Sequence, residues 1–118
     1  MTRIHHINVT VPPGRSQPIA AFYIDVLGLK QIARPDNERA GAWLIMDDGT
    51  QLHLSERDGA AHPDQHFAVM VSDLSAVRVR LGEAGATFQV ADDVFNTGGR
   101  GFTYDPGGNR IELIADAS

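Results

Sequence analysis

The chain contains no cysteine in 118 residues, so neither a disulfide framework nor thiolate ligation is available, and any metal must be held by His, Asp or Glu. That absence suits a reducing compartment. Long apolar runs are missing as well: nothing approaches the roughly 20 residues that a membrane span needs, and the chain opens on a strand-like pattern with no basic segment and apolar run in front of it. A cytoplasmic protein with no membrane partner is expected. Positive charge is scarce too, with 10 Lys and Arg against 15 Asp and Glu and a net charge of −5. No basic cluster offers a face to nucleic acid, so a small molecule is the better-suited partner. With 42% apolar residues, the chain can build one compact domain with a core, and is too short for two large ones.

Periodicity then sorts the chain into elements. Residues 3 to 11 alternate as a strand that Pro12-Pro13-Gly14 ends. Ser16-Gln17-Pro18 reads as an N-cap followed by an early-turn proline, and Ile19, Phe22, Tyr23, Val26 and Leu27 form an apolar helical stripe over 17 to 27, with Gly28 at C′. Strands are expected near 30 to 34, 42 to 46 and 50 to 56, the last two joined by the Asp47-Asp48-Gly49 turn. Residues 57 to 64 have linker composition. The pattern then restarts: a strand at 66 to 71, a helix capped by Asp73 with Leu74, Val77, Leu81 and Ala84 on one face and Gly85 ending it, and strands near 87 to 91, 100 to 104 and 109 to 114. Asp105-Pro106-Gly107-Gly108 turns the final hairpin. The reading is an α+β chain of two βαβββ modules, 3–56 and 65–115, joined by linker 57–64 into a single domain.

The two modules repeat one another. Trp43 to Leu54 aligns with Phe102 to Leu113 without a gap, and metal-competent side chains recur in step: His6 with His66 at an offset of 60, His53 with Glu112 at an offset of 59. Strand parity gives an independent test, because successive side chains face opposite ways. His6 opposes Ile7, Val9 and Val11; His53 opposes Leu52 and Leu54; His66 opposes Phe67, Val69 and Val71; Glu112 opposes Ile111 and Leu113. All four candidates therefore lie away from the helix-packing set. If each sheet curls with its helix outside, that face lines a cup, and His6, His53, His66 and Glu112 form a candidate metal site. His5 has the wrong parity. His62 reads as a solvated loop residue, Phe22-Tyr23 as core, and Gly98-Gly99-Arg100-Gly101 as a flexible loop before a strand, since no helix start follows to make it a phosphate cradle.

The paired modules, Ala21-Phe22-Tyr23 through Val26-Leu27-Gly28-Leu29, and Asp105-Pro106-Gly107-Gly108-Asn109-Arg110-Ile111-Glu112-Leu113 resemble the vicinal oxygen chelate superfamily over essentially the whole chain. That superfamily includes glyoxalases, epimerases, extradiol dioxygenases, fosfomycin-resistance transferases and bleomycin-binding proteins. The resemblance implies a glyoxalase-like fold, a curved mixed sheet forming a cup with helices outside, and a divalent transition metal on His6, His53, His66 and Glu112. Imidazole-rich ligation suits Zn, Ni, Co, Fe or Mn. His53 departs from the Glu or Gln usual in the glyoxalases and the Gln of the epimerases. Three neutral imidazoles and one carboxylate leave a residual +1 on a divalent ion, which favours an anionic chelating substrate such as an enediolate, carboxylate or phosphonate.

The expected activity is of lyase or isomerase type, stabilising an enediolate, with Glu112 as base if it can leave the metal and Asn8, Thr10, Gln51, Arg110 and Trp43 contacting the substrate. The alternatives are a bleomycin-resistance type sequestration protein without turnover, or a thiol transferase. His53 would crowd the open position of an extradiol dioxygenase. The residues after Glu112 also lack the basic groups with which fosfomycin transferases hold their phosphonate. A homodimer is expected, either with each site inside one chain or with the metal shared between chains.

Overall fold

A computed structural model describes residues 1–35 and 40–116, and within it the chain divides into two compact units, Met1–Ala60 and Ala61–Ser118. In the first, β1 (His6–Val11), α1 (Ser16–Leu27), β2 (Lys30–Ile32), β3 (Gly41–Ile45) and β4 (Gln51–Glu56) follow one another. Their sheet has the order β1-β4-β3-β2, with β1 parallel to β4 and the other pairs antiparallel. The second unit repeats this with β5 (His66–Val71), α2 (Leu74–Glu83), β6 (Gln89–Val90), β7 (Arg100–Tyr104) and β8 (Arg110–Ala115) in the order β5-β8-β7-β6. The expected α+β architecture of two βαβββ modules is therefore present, as two open four-stranded mixed sheets.

Alternation builds each core. In the first unit, α1 packs on β3 and β4 and buries Ile19, Phe22, Tyr23 and Val26 in the same core as Ala42, Leu44, Leu52, Leu54 and Val11. In the second, α2 packs on β8; Val77 and Leu81 are buried, as are Ile111 and Leu113, while Ala84 is exposed despite its place in the stripe. Each helix ends where glycine permits a left-handed turn: Gly28 at φ 74° donates to Ile24, and Gly85 at φ 73° donates to Gly82. Asp73 caps α2 as expected, accepting from the Ala76 amide at 3.0 Å.

Three local expectations change. Ser16 is the first residue of α1 and no side chain of its own N-cap closes the turn. Instead the Glu56 carboxylate, 40 residues away at the end of β4, accepts from the Gly14 amide (2.8 Å), the Ser16 amide (3.3 Å) and the Ser16 hydroxyl (2.6 Å), placing a negative charge on the helix N-terminus. β1 starts at His6, because its ladder with β4 begins at the His6–Gln51 pair, with the His5 carbonyl accepting from the Gln51 amide at its edge. β2 and β6 are shorter than expected, three and two residues, each limited to its pairing with one neighbour on an edge.

Candidate metal centre

In the first unit the register of parallel strands β1 and β4 sets His6 opposite Gln51 and Asn8 opposite His53, while antiparallel β3 sets Trp43 opposite His53. All of these lie on the face away from α1. Three rings stack there in order: His6 on His53 with centroids 4.1 Å apart, and His53 on Trp43 at 4.0 Å and 2°. His53 Nε2 lies 2.8 Å from Gln51 Oε1. Burial lowers the pKa of the His53 imidazole, and the electrostatic influence of His6, His5 and Arg34 pushes the same way, favouring the neutral ring. Ser55 donates to Asn8 Oδ1 at 2.6 Å, and Thr10 pairs with Ser55 in the ladder.

His5, set aside on parity, has its Nδ1 3.0 Å from His6 Nδ1, the rings edge to face. Parity did not govern it because it precedes the first ladder pair. With Nδ1 of His6 engaged, Nε2 is the atom left to take a ligand.

In the second unit Glu112, 5% exposed, sits opposite Ala68 on β5 and Phe102 on β7. Its Oε1 lies 3.0 Å from His66 Nε2, and its Oε2 accepts from Arg100 Nε at 2.7 Å. His66 Nδ1 lies 3.0 Å from the Asp64 carbonyl, which can only accept, so that nitrogen carries a proton. His66 Nε2 faces Glu112 Oε1 at 3.0 Å, a separation spanned by a hydrogen bond through a shared proton and short enough for both atoms to reach one cation. A ring N–H donated to a backbone carbonyl is also how a ligating imidazole is usually oriented. Burial would raise the Glu112 pKa, but the hydrogen bond and charge of Arg100, assisted by His66, outweigh it and hold the carboxyl below its ordinary range.

The stacked pair fits less directly. Imidazole lone pairs lie in the ring plane, and parallel planes about 4 Å apart do not share an in-plane point, so His6 and His53 must unstack to hold one ion. Among the described residues no three His, Asp or Glu side chains are gathered as a ready metal cluster.

Arg100 was not anticipated. The signal was present in parity: Arg100 and Phe102 alternate onto the face of Glu112 as Trp43 does onto that of His53. Arg110, opposite His66, lies with its guanidinium carbon 3.9 Å from the Phe102 ring centroid.

Tandem βαβββ units carrying imidazole and carboxylate donors at matching strand positions define a glyoxalase-like chain. It belongs to the Glyoxalase/Bleomycin resistance protein/Dioxygenase superfamily, whose sequence profile matches residues 3–113. Comparison with curated proteins gives no match. Among solved structures the chain is similar to a glyoxalase family protein from Bacillus anthracis (24% identity, covering 98% of this chain and 96% of that one, TM-score 0.85). It is also similar to a variant of the fosfomycin resistance protein FosX from Listeria monocytogenes in complex with Mn(II) and dihydroxypropylphosphonic acid (16%, 98% and 93%, 0.82). A third is TnmS3, an antibiotic binding protein from Streptomyces sp. CB03234 (18%, 98% and 97%, 0.77). At these identities the likeness is one of fold.

Proposed function

We propose that the chain is a divalent-metal-dependent enzyme of lyase or isomerase type acting on a small oxygen-chelating substrate, with His6, His53, His66 and Glu112 as the ligand set. The observation that carries this reading is the approach of an imidazole nitrogen and a carboxylate oxygen, His66 Nε2 and Glu112 Oε1 at 3.0 Å, with the other His66 nitrogen on the Asp64 carbonyl. The Mn(II) complex of the similar fosfomycin resistance protein supports divalent-metal use in this fold. Once bound, such an ion supplies Lewis-acid polarisation of a substrate carbonyl. The rest falls to the chain. Glu112, once its Oε1 leaves the ion, takes the proton from the carbon beside that carbonyl, while Arg100 stays on Oε2 and fixes the carboxylate plane. Because Arg100 also makes Glu112 a weaker base, the reaction demands a substrate whose C–H is already acidified. Trp43 walls one side of the His53 ring, and Asn8, Thr10, Gln51 and Arg110 orient the substrate oxygens. The modules act as one domain, and the protein works as a cytoplasmic homodimer.

A second reading, a drug- or metabolite-sequestering protein, is favoured by the His6–His53–Trp43 stack, a flat aromatic platform suited to a planar ligand. The antibiotic-binding neighbour supports it. Elemental analysis of chelator-free protein beside His53→Ala and Glu112→Ala separates the two readings. Near one transition metal per chain in the wild type, lost in both variants, upholds the enzyme. No metal and no uptake of Ni, Co, Zn or Mn sinks it in favour of sequestration, which then shows as stoichiometric saturation without turnover.

A further inference from the structure

The repeat duplicates the backbone but not the charges. At the offset of 59, Arg100 stands where the first unit has Gly41, and Arg110 where it has Gln51. Gly41 has no room for any side chain, since a Cβ there meets the Leu54 carbonyl. The Glu112 face of the second unit therefore carries two guanidinium groups and one carboxylate, in a chain whose net charge is −5.

The two arginines are engaged differently. Arg100 donates from Nε to Glu112 and from Nη1 to the Asp92 carbonyl at 3.1 Å, so its charge is matched. Arg110 has its guanidinium carbon over the Phe102 ring, whose π face attracts it but accepts no conventional hydrogen bond. Its Nε is buried without a hydrogen-bond partner, and among the described residues no carboxylate stands within ion-pair distance of it. A buried donor left unmatched is costly unless an acceptor arrives from outside. The guanidinium fork has the geometry for two oxygens of one oxyacid group.

We propose that Arg110, supported on Phe102, is the anchor for an oxyanion group of the ligand: a carboxylate, phosphonate or phosphate held beside His66 and Glu112. This deepens the proposed function and rests on its reading of that face as the site. It assigns the specificity for anionic substrates to β7 and the start of β8.

The test uses the full chain freed of metal, titrated calorimetrically with inorganic phosphate, methylphosphonate, acetate and, as a neutral control, propane-1,2-diol. At least one anion should bind where the diol does not, and which of the three binds tightest names the group. Arg110→Gln should weaken that anion about 10-fold or more, the loss of a charged bidentate contact. Arg110→Lys should recover part of it, with thermal unfolding confirming that both variants fold. Anion affinity equal in wild type and folded Arg110→Gln, or no anion binding at all, overturns the proposal. Metal uptake is measured separately on the same proteins. Lost anion binding with metal uptake intact defeats the anchor alone, whereas anion binding without metal uptake defeats the metal-enzyme reading and leaves the anchor standing.

Discussion

Replacing Glu112 by Gln removes one charge and no volume, which makes it the sharpest probe of whether the His66–Glu112 pair is structural or built for a cation. In the metal-free protein the carboxylate pairs with Arg100, with side chains 7% and 17% exposed respectively, so neither charge is well solvated. The amide can still accept from Arg100 through its carbonyl oxygen, but the guanidinium loses its counter-charge. The expected cost is about 2 kcal/mol, toward the lower end for breaking a buried pair because Arg100 reaches solvent. At roughly 3–5 °C per kcal/mol for a chain of this size, the melting temperature should fall by about 6–10 °C.

The second term has the opposite sign and belongs to the metal. A divalent ion bound only by the folded wild type, at a free concentration 100-fold above its Kd, adds about 2.7 kcal/mol and a rise of about 8–13 °C. Glu112→Gln should lose nearly all of that rise, because the ion's charged ligand has become a neutral amide. Differential scanning calorimetry with and without chelator, and with Ni, Co, Zn and Mn in turn, reads both terms. A wild type indifferent to every metal, or a Glu112→Gln protein that gains as much as wild type, would refute the reasoning.

Other consequences are testable in the same preparations. The Glu56 carboxylate is held below its usual range first by the Ser16 hydroxyl and then by the Gly14 amide; its folded pKa being the lower, its stabilisation is full above the unfolded value and is lost as pH falls through the folded one. Glu56→Gln should cost about 1 kcal/mol at pH 7 and flatten the acid limb of the stability curve; an unchanged acid limb would show that the cap does not matter. Asp105, 3% exposed, accepts from the Gly107 and Asn109 amides and the Asn109 side chain, so Asp105→Ala strands three donors and should cost about 3 kcal/mol in chemical denaturation. A loss under 1 kcal/mol would mean that water replaces the carboxylate at this turn. Trp43, the only tryptophan, stacks on His53, so Ni or Co binding there should change its fluorescence saturably, and His53→Ala should abolish the change.

Much of the fold was legible because its rules are local and periodic. The strands at 66 to 71 and 100 to 104 appear with the expected bounds, because alternation and the flanking turn residues mark them locally. What escaped depends on distant partners. Ser16 looks like a helix cap in its own neighbourhood, yet its hydroxyl is claimed by Glu56, and no local rule weighs an acceptor 40 residues away. The length of β6 is set by its one neighbour and not by its own propensity.

Arg100 escaped for a different reason. Finding a repeat means treating its copies as equivalent, and the evidence for this site lies in where they are not. Gly98 and Gly99 made Arg100 look like the end of a loop, and alignment with Gly41 gave it no counterpart to suggest a role. Comparing the copies for charge instead of likeness singles out two positions, Gly41 against Arg100 and Gln51 against Arg110, and both face the ligand candidates. A duplicated scaffold needs its two sheets to stay alike for packing, so the faces away from the helices are where the copies are free to diverge. One copy carries a platform of stacked rings, and the other a face with a carboxylate, an imidazole and two guanidinium groups.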